Sequence, residues 1–85
     1  MKYDEVRDEI MELAMEMERI MRKHDETKGD SWKEMPIEDL RMLVSQELNE
    51  WYSAISRQSI SDERYEIVDA IITLMMVRHR LGEKS

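Results

Sequence analysis

Apolar positions in the first third of the chain recur by threes and fours. Tyr3, Val6, Ile10, Leu13, Met17 and Ile20 follow that spacing with His24 next in line, while Asp8, Glu9, Glu12, Glu16 and Arg19 take the other face. The pattern predicts one amphipathic helix over about residues 2 to 26. The stretch ETKGDSWKEMP interrupts it, since Gly29 suits a helix end and Pro36 suits the first turn of a new helix. A second helix is predicted from about Pro36 to Ser56. After the polar ISRQSIS, Ser61 followed by Asp62 and Glu63 reads as the N-cap of a third helix, which runs to about Leu81 with Gly82 as its stop.

The second helix carries an anomaly. At about 100° per residue, Leu40, Leu43, Val44, Leu48, Trp51, Ala54 and Ile55 share an arc of about 120°. Glu47 falls inside that arc and Glu50 at its border. The third helix shows the converse pattern, in YEIVDAIITLMMV and beyond. Ile67, Val68, Ala70, Ile71, Ile72, Leu74, Met75, Val77 and Leu81 cover most of its circumference and leave a narrow stripe of Asp62, Glu66, Asp69, Thr73 and Arg80. A helix apolar almost all round is usually buried, and in a short chain that points to burial in an oligomer.

Length and composition narrow the class. A chain of 85 residues fits a single domain, one that buries only about 60% of its unfolded surface and gains from self-association. Nine Met, two Gly, one Pro and few aromatics favour helices over sheets. The expected fold is all-α, an antiparallel bundle of three main helices completed by oligomerisation. Cysteine is absent, which removes disulfides and thiolate chemistry. No signal-peptide pattern is visible, and the longest apolar run is too short and too acidic to span a bilayer. The expectation is a soluble, cytoplasmic protein with no membrane partner. A net charge of −7 argues against a nucleic-acid polymer, whose binders exchange basic side chains for counterions.

A carboxylate removed from water costs several kcal/mol unless it meets a partner. For the third-helix stripe alone, a solvated face is an equal alternative, and a glutamate on an apolar face commonly snorkels. Together, however, two carboxylate pairs on adjacent helices, each spaced by three residues, can converge across one interface. Four converging carboxylates repel unless a cation sits between them, and hard oxygen donors without thiolate or imidazole favour Mg²⁺ or Mn²⁺. A di-iron bundle needs Glu-x-x-His pairs, whereas His24 and His79 have Met21 and Met76 at that offset.

Glu47-Leu-Asn-Glu50, fifteen intervening residues and Glu66-Ile-Val-Asp69 resemble the ExxE…ExxD signature of the MazG-like, all-α nucleoside triphosphate pyrophosphohydrolases. The loop Lys28-Gly29-Asp30-Ser31-Trp32 is similar to that of short members, and the resemblance covers about Lys28 to Leu81. It implies hydrolysis of a nucleoside triphosphate, or its deoxy form, to the monophosphate and pyrophosphate. It also implies Mg²⁺ held by Glu47, Glu50, Glu66 and Asp69, one of which acts as base, in a homodimer or homotetramer. Many relatives carry an Asn about one turn after the ExxD aspartate, where this chain has Ile72 and Thr73, and that puts sugar or base recognition in doubt.

Candidate substrate contacts each have a plainer alternative. Lys28 and Lys33 flank the loop tryptophan and can hold phosphates, or can simply be solvated. Trp32 can stack on a base, or pack as a lid over the helix ends. Arg80 lies on the carboxylate stripe, where it can meet the β- or γ-phosphate, or serve the helix C-terminus. His24 reads as a core or helix-end histidine, and Trp51 and the methionines as core. Two other functions stand against the leading one: a non-catalytic acidic helical interaction module, and a phosphoribosyl-ATP pyrophosphohydrolase built on the same design.

Overall fold

Helix α1 begins where negative charge first meets a run of exposed backbone N–H groups. Arg7 is extended (φ −60°, ψ 145°), its carbonyl accepts from the amides of Ile10 and Met11, and Asp8 and Glu9 occupy the first turn. The computed structural model describes residues 5–82, in which α1 spans Asp8–Asp25, α2 Ile37–Ser56 and α3 Ile60–Gly82. A single 3₁₀ turn at Ser31–Lys33 lies between α1 and α2, and there is no strand among the described residues. The all-helical expectation holds. The expected start of the first helix near residue 2 does not: Val6 precedes the helix, and Tyr3 lies outside the described residues.

Other boundaries also move, for local reasons. Gly29 takes φ +55° inside the loop, the left-handed region open to a residue without Cβ, so it shapes the turn and does not terminate α1 itself. Pro36 stands just outside α2 as its N-cap residue (φ −54°, ψ 139°), and its carbonyl accepts from Asp39 and Leu40. The cap of α3 is Ser59 instead of Ser61: Ser59 Oγ accepts from the amide of Asp62 at 3.3 Å and its carbonyl from that of Glu63 at 2.9 Å. Gln58, left-handed at φ 58°, ends α2 abruptly and so brings Ser59 into the cap position two residues early.

So short a connection forces α2 and α3 into an antiparallel hairpin. Ala54 and Ala70 are both buried on it, and Trp51 Nε1 donates to Glu63 Oε2 at 3.0 Å from one helix to the other. Helix α1 lies against α3 through Ile20, Val68 and Ile72, with Leu13 and Met17 alongside. A second cluster of Trp32, Ile37 and Leu40 seals the loop end, and Leu40 is fully buried. Met21 and Met76 touch both clusters, unbranched thioethers filling the seam between them.

The single chain leaves much apolar surface bare. Leu74 of α3, Ile55 of α2 and Ile10 of α1 are exposed although each lies on or beside a predicted buried face. The Cα radius of gyration is 14.1 Å, against about 12 Å for a compact chain of this length, so the three helices form an open layer. No helix among the described residues is long and apolar enough to cross a membrane.

Candidate metal centre

The face of α2 that carries Leu40 and Leu43 also carries Glu47, one turn further on. Burying Leu40 against the rest of the fold therefore draws Glu47 inward with it. On α3 the same holds for Asp69, which sits three and four residues before the buried Ile72 and Thr73. Glu66 lies one turn before Asp69. The result is a group of three half-buried carboxylates, each with an oxygen within 4.8 Å of the others.

Of the four carboxylates singled out in the sequence, the structure brings these three together. Glu50 is exposed and outside the group, although its charge reaches Glu47 and Glu66.

Burial and mutual repulsion mark the cluster electrostatically. Glu47 is pushed above its ordinary pKa, first by burial and then by Asp69, Glu66 and Glu50, against a weaker opposing pull from Lys28. Glu66 is raised by burial, Asp69 and Glu50, with Arg57 opposing. For Asp69 burial raises the pKa while His24 works against it. The ion pairs Arg22–Glu18, Lys33–Asp30 and Arg57–Asp62 all lie elsewhere. Three hard oxygen donors with raised proton affinity can exchange their protons for a hard divalent cation.

A cavity of about 210 Å³ adjoins the carboxylates. Glu47, Asp69, His24 and Lys28 give it a charged part of its lining. Trp32, Met35, Leu43, Ile72 and Met76 give it an apolar part. Of the expected substrate contacts, Lys28 and Trp32 share this cavity, whereas Lys33 pairs with Asp30 at 3.3 Å and lies with its ammonium 5.6 Å from the Trp32 ring centroid. Trp32 is 9% exposed and meets His79 edge-to-face at 5.6 Å, and its buried Nε1–H has no acceptor among the described residues. Arg80 turns toward the loop, where Nη1 donates to the carbonyl of Trp32 at 2.9 Å and to that of Met35.

Three residues near the site were read differently in the sequence or passed over. His24 takes the helix-end alternative, exposed in the last turn of α1, yet it also lines the cavity and acts on Asp69. Its place at the end of the α1 seam was the available signal, because that seam faces α3. Thr73, on the polar stripe of α3, is buried, and its hydroxyl donates to the Ala70 carbonyl at 2.8 Å. Tyr65 is pushed above its ordinary pKa by Asp69 first, then by burial, Glu66 and Glu47, which places its hydroxyl in the field of all three carboxylates. No protein-family model, curated protein or solved structure matches the chain.

Proposed function

We propose that this protein is a metal-dependent nucleotide pyrophosphohydrolase of the MazG-like type, cleaving (d)NTP to (d)NMP and pyrophosphate in the cytoplasm. One observation carries the reading: Glu47, Glu66 and Asp69, contributed by two helices, converge within 4.8 Å beside a cavity that combines charged and apolar walls. In this reading those three residues hold Mg²⁺ or Mn²⁺, and Glu50 approaches from the rim. When bound, such an ion neutralises triphosphate charge and lowers the pKa of a water for in-line attack.

The chain's own residues supply the remainder. Lys28, on the cavity lining and already felt by Glu47, meets phosphate charge. Trp32, Leu43 and Met76 offer the base an apolar wall that excludes water. Glu50, outside the cluster, is the carboxylate available to take a proton. The open helical layer and the bare apolar surface of α3 support a homodimer or homotetramer.

The test is pyrophosphate release from a panel of nucleotides with Mg²⁺ or Mn²⁺. Wild type should release it, and Asp69→Asn should not. Failure of every nucleotide to yield pyrophosphate would end this reading. The exposed Met15, Met42, Tyr52 and Ile60 favour a second reading, an interaction module without catalysis. That alternative predicts no rise in melting temperature with either ion.

A further inference from the structure

We propose that Arg80 is a positioning residue: it clamps the α1–α2 loop in place as a wall of the cavity and thereby sets how tightly substrate is held. The first half of the proposal stands on the fold alone. The second half rests on the pyrophosphohydrolase reading.

Arg80 is too far along α3 to touch the carboxylates from its own position. Eleven residues separate it from Asp69, roughly 16 Å of helix axis. Its guanidinium instead spans two backbone carbonyls, those of Trp32 and Met35, through the single nitrogen Nη1. These bonds join positions 48 and 45 residues apart, whereas the loop's other polar ties, such as Lys33 N to Asp30 O and Glu34 N to Ser31 O, are local. A local tie shapes a loop without fixing where it lies. Arg80 supplies a polar anchor from the loop to α3.

Both clamped residues belong to the loop's contribution to the cavity wall. Trp32 and Met35 line it together with Glu47 and Asp69, which are distant in sequence. His79, adjacent to Arg80, presents its ring edge-to-face to Trp32. Moreover, the Trp32 indole N–H is buried with no acceptor among the described residues, a position that a loop released to solvent would not keep, because water would satisfy the donor. Arg80 acts on the site through the loop backbone.

Two variants test this. Arg80→Met keeps the aliphatic stem and removes the donors, and Arg80→Lys keeps a charged donor without the guanidinium fork. Amide hydrogen exchange is read at Ser31, Lys33 and Glu34, together with Mn²⁺ affinity and, for a nucleotide that wild type hydrolyses, KM and kcat. Arg80→Met should speed exchange at these three amides at least tenfold while α2 and α3 keep their protection. KM should rise at least fivefold, with kcat and Mn²⁺ affinity within twofold of wild type, and Arg80→Lys should fall between. Wild-type exchange at the three amides in Arg80→Met overturns the clamp. Faster exchange with unchanged KM, or a loss of Mn²⁺ affinity matching the rise in KM, overturns the role in substrate holding. If wild type hydrolyses no nucleotide, the pyrophosphohydrolase reading fails, and with it the second half of the proposal, while the exchange result alone decides the clamp.

Discussion

Glu47 on α2 and Asp69 on α3 hold carboxylate oxygens within 4.8 Å of each other, half-buried and without a cation at salt-bridge distance among the described residues. Like charges at that separation repel, and their partial exposure screens the effect to on the order of 1 kcal/mol. Neutralising one should therefore stabilise the metal-free protein. Glu47→Gln is expected to raise the melting temperature in chelator at neutral pH by about 4–8 °C, the shift that 1 kcal/mol produces in a domain of this size. A lower melting temperature in that variant would show that the three carboxylates do not strain the fold.

The same repulsion fixes the sign of a pH dependence. Glu47, Glu66 and Asp69 all have their pKa raised in the folded chain, so the native state binds protons more tightly than the unfolded chain does. The stability this confers is complete below the ordinary values, 4.5 for the glutamates and 3.8 for the aspartate, and is lost as pH climbs through the raised ones. Metal-free protein should consequently lose part of its stability between pH 4.5 and pH 7 through these three groups. Replacing the three by Gln, Gln and Asn should flatten that slope, and a slope of unchanged size would assign it to other groups.

Saturating Mn²⁺ should reverse the pH trend, because the ion competes with protons for the same oxygens. At a hundredfold excess over Kd the stabilisation is about 2.7 kcal/mol. Melting curves at pH 4.5 and 7, without Mn²⁺ and at one fixed Mn²⁺ concentration, provide the check: the gain should be larger at pH 7. An equal gain at both pH values would place the ion away from these carboxylates.

Helix existence was readable from periodicity because each apolar stripe buries a face: Leu13, Met17 and Ile20 on α1, Leu40 on α2, Val68 and Ile72 on α3. Glu47 and Asp69 were readable for the same reason, being carboxylates on faces that fold inward. Glu50 was placed with them by its spacing from Glu47 and by the family resemblance, and neither reports that the border of an arc turns outward to solvent. Arg80 belongs to the stripe only on a helical wheel. Its guanidinium follows backbone carbonyls of a loop 45 or more residues away, a partner that no local pattern encodes. Helix ends were least legible, since Ser59 and Ser61 are equally good caps in sequence and the left-handed Gln58 selects between them.

That choice of cap is itself measurable. Ser59 Oγ accepts the Asp62 amide, so Ser59→Ala leaves a first-turn donor unpaired and should cost about 0.5–2 kcal/mol. Ser61 lies exposed within the first turn, and Ser61→Ala should change stability by less than about 0.5 kcal/mol. Denaturant melts of the two variants decide the order. Equal losses would mean that the helix begins at Ser61 in solution.

The three converging carboxylates and the fourth can be told apart by metal binding and turnover. Glu66 supplies one of the three clustered oxygens, whereas Glu50 contributes only its field. If the cluster binds the ion, Glu66→Gln removes a ligand and should abolish most of the Mn²⁺-dependent rise in melting temperature. Glu50→Gln should retain most of that rise and, in the pyrophosphohydrolase reading, still slow turnover, because a proton acceptor at the rim is lost while the bound ion stays. Measuring both quantities on both variants distinguishes a three-carboxylate site with a separate base from a four-carboxylate site. Equal loss of the Mn²⁺ effect in the two variants would establish the latter and would require Glu50 to swing inward when the ion binds.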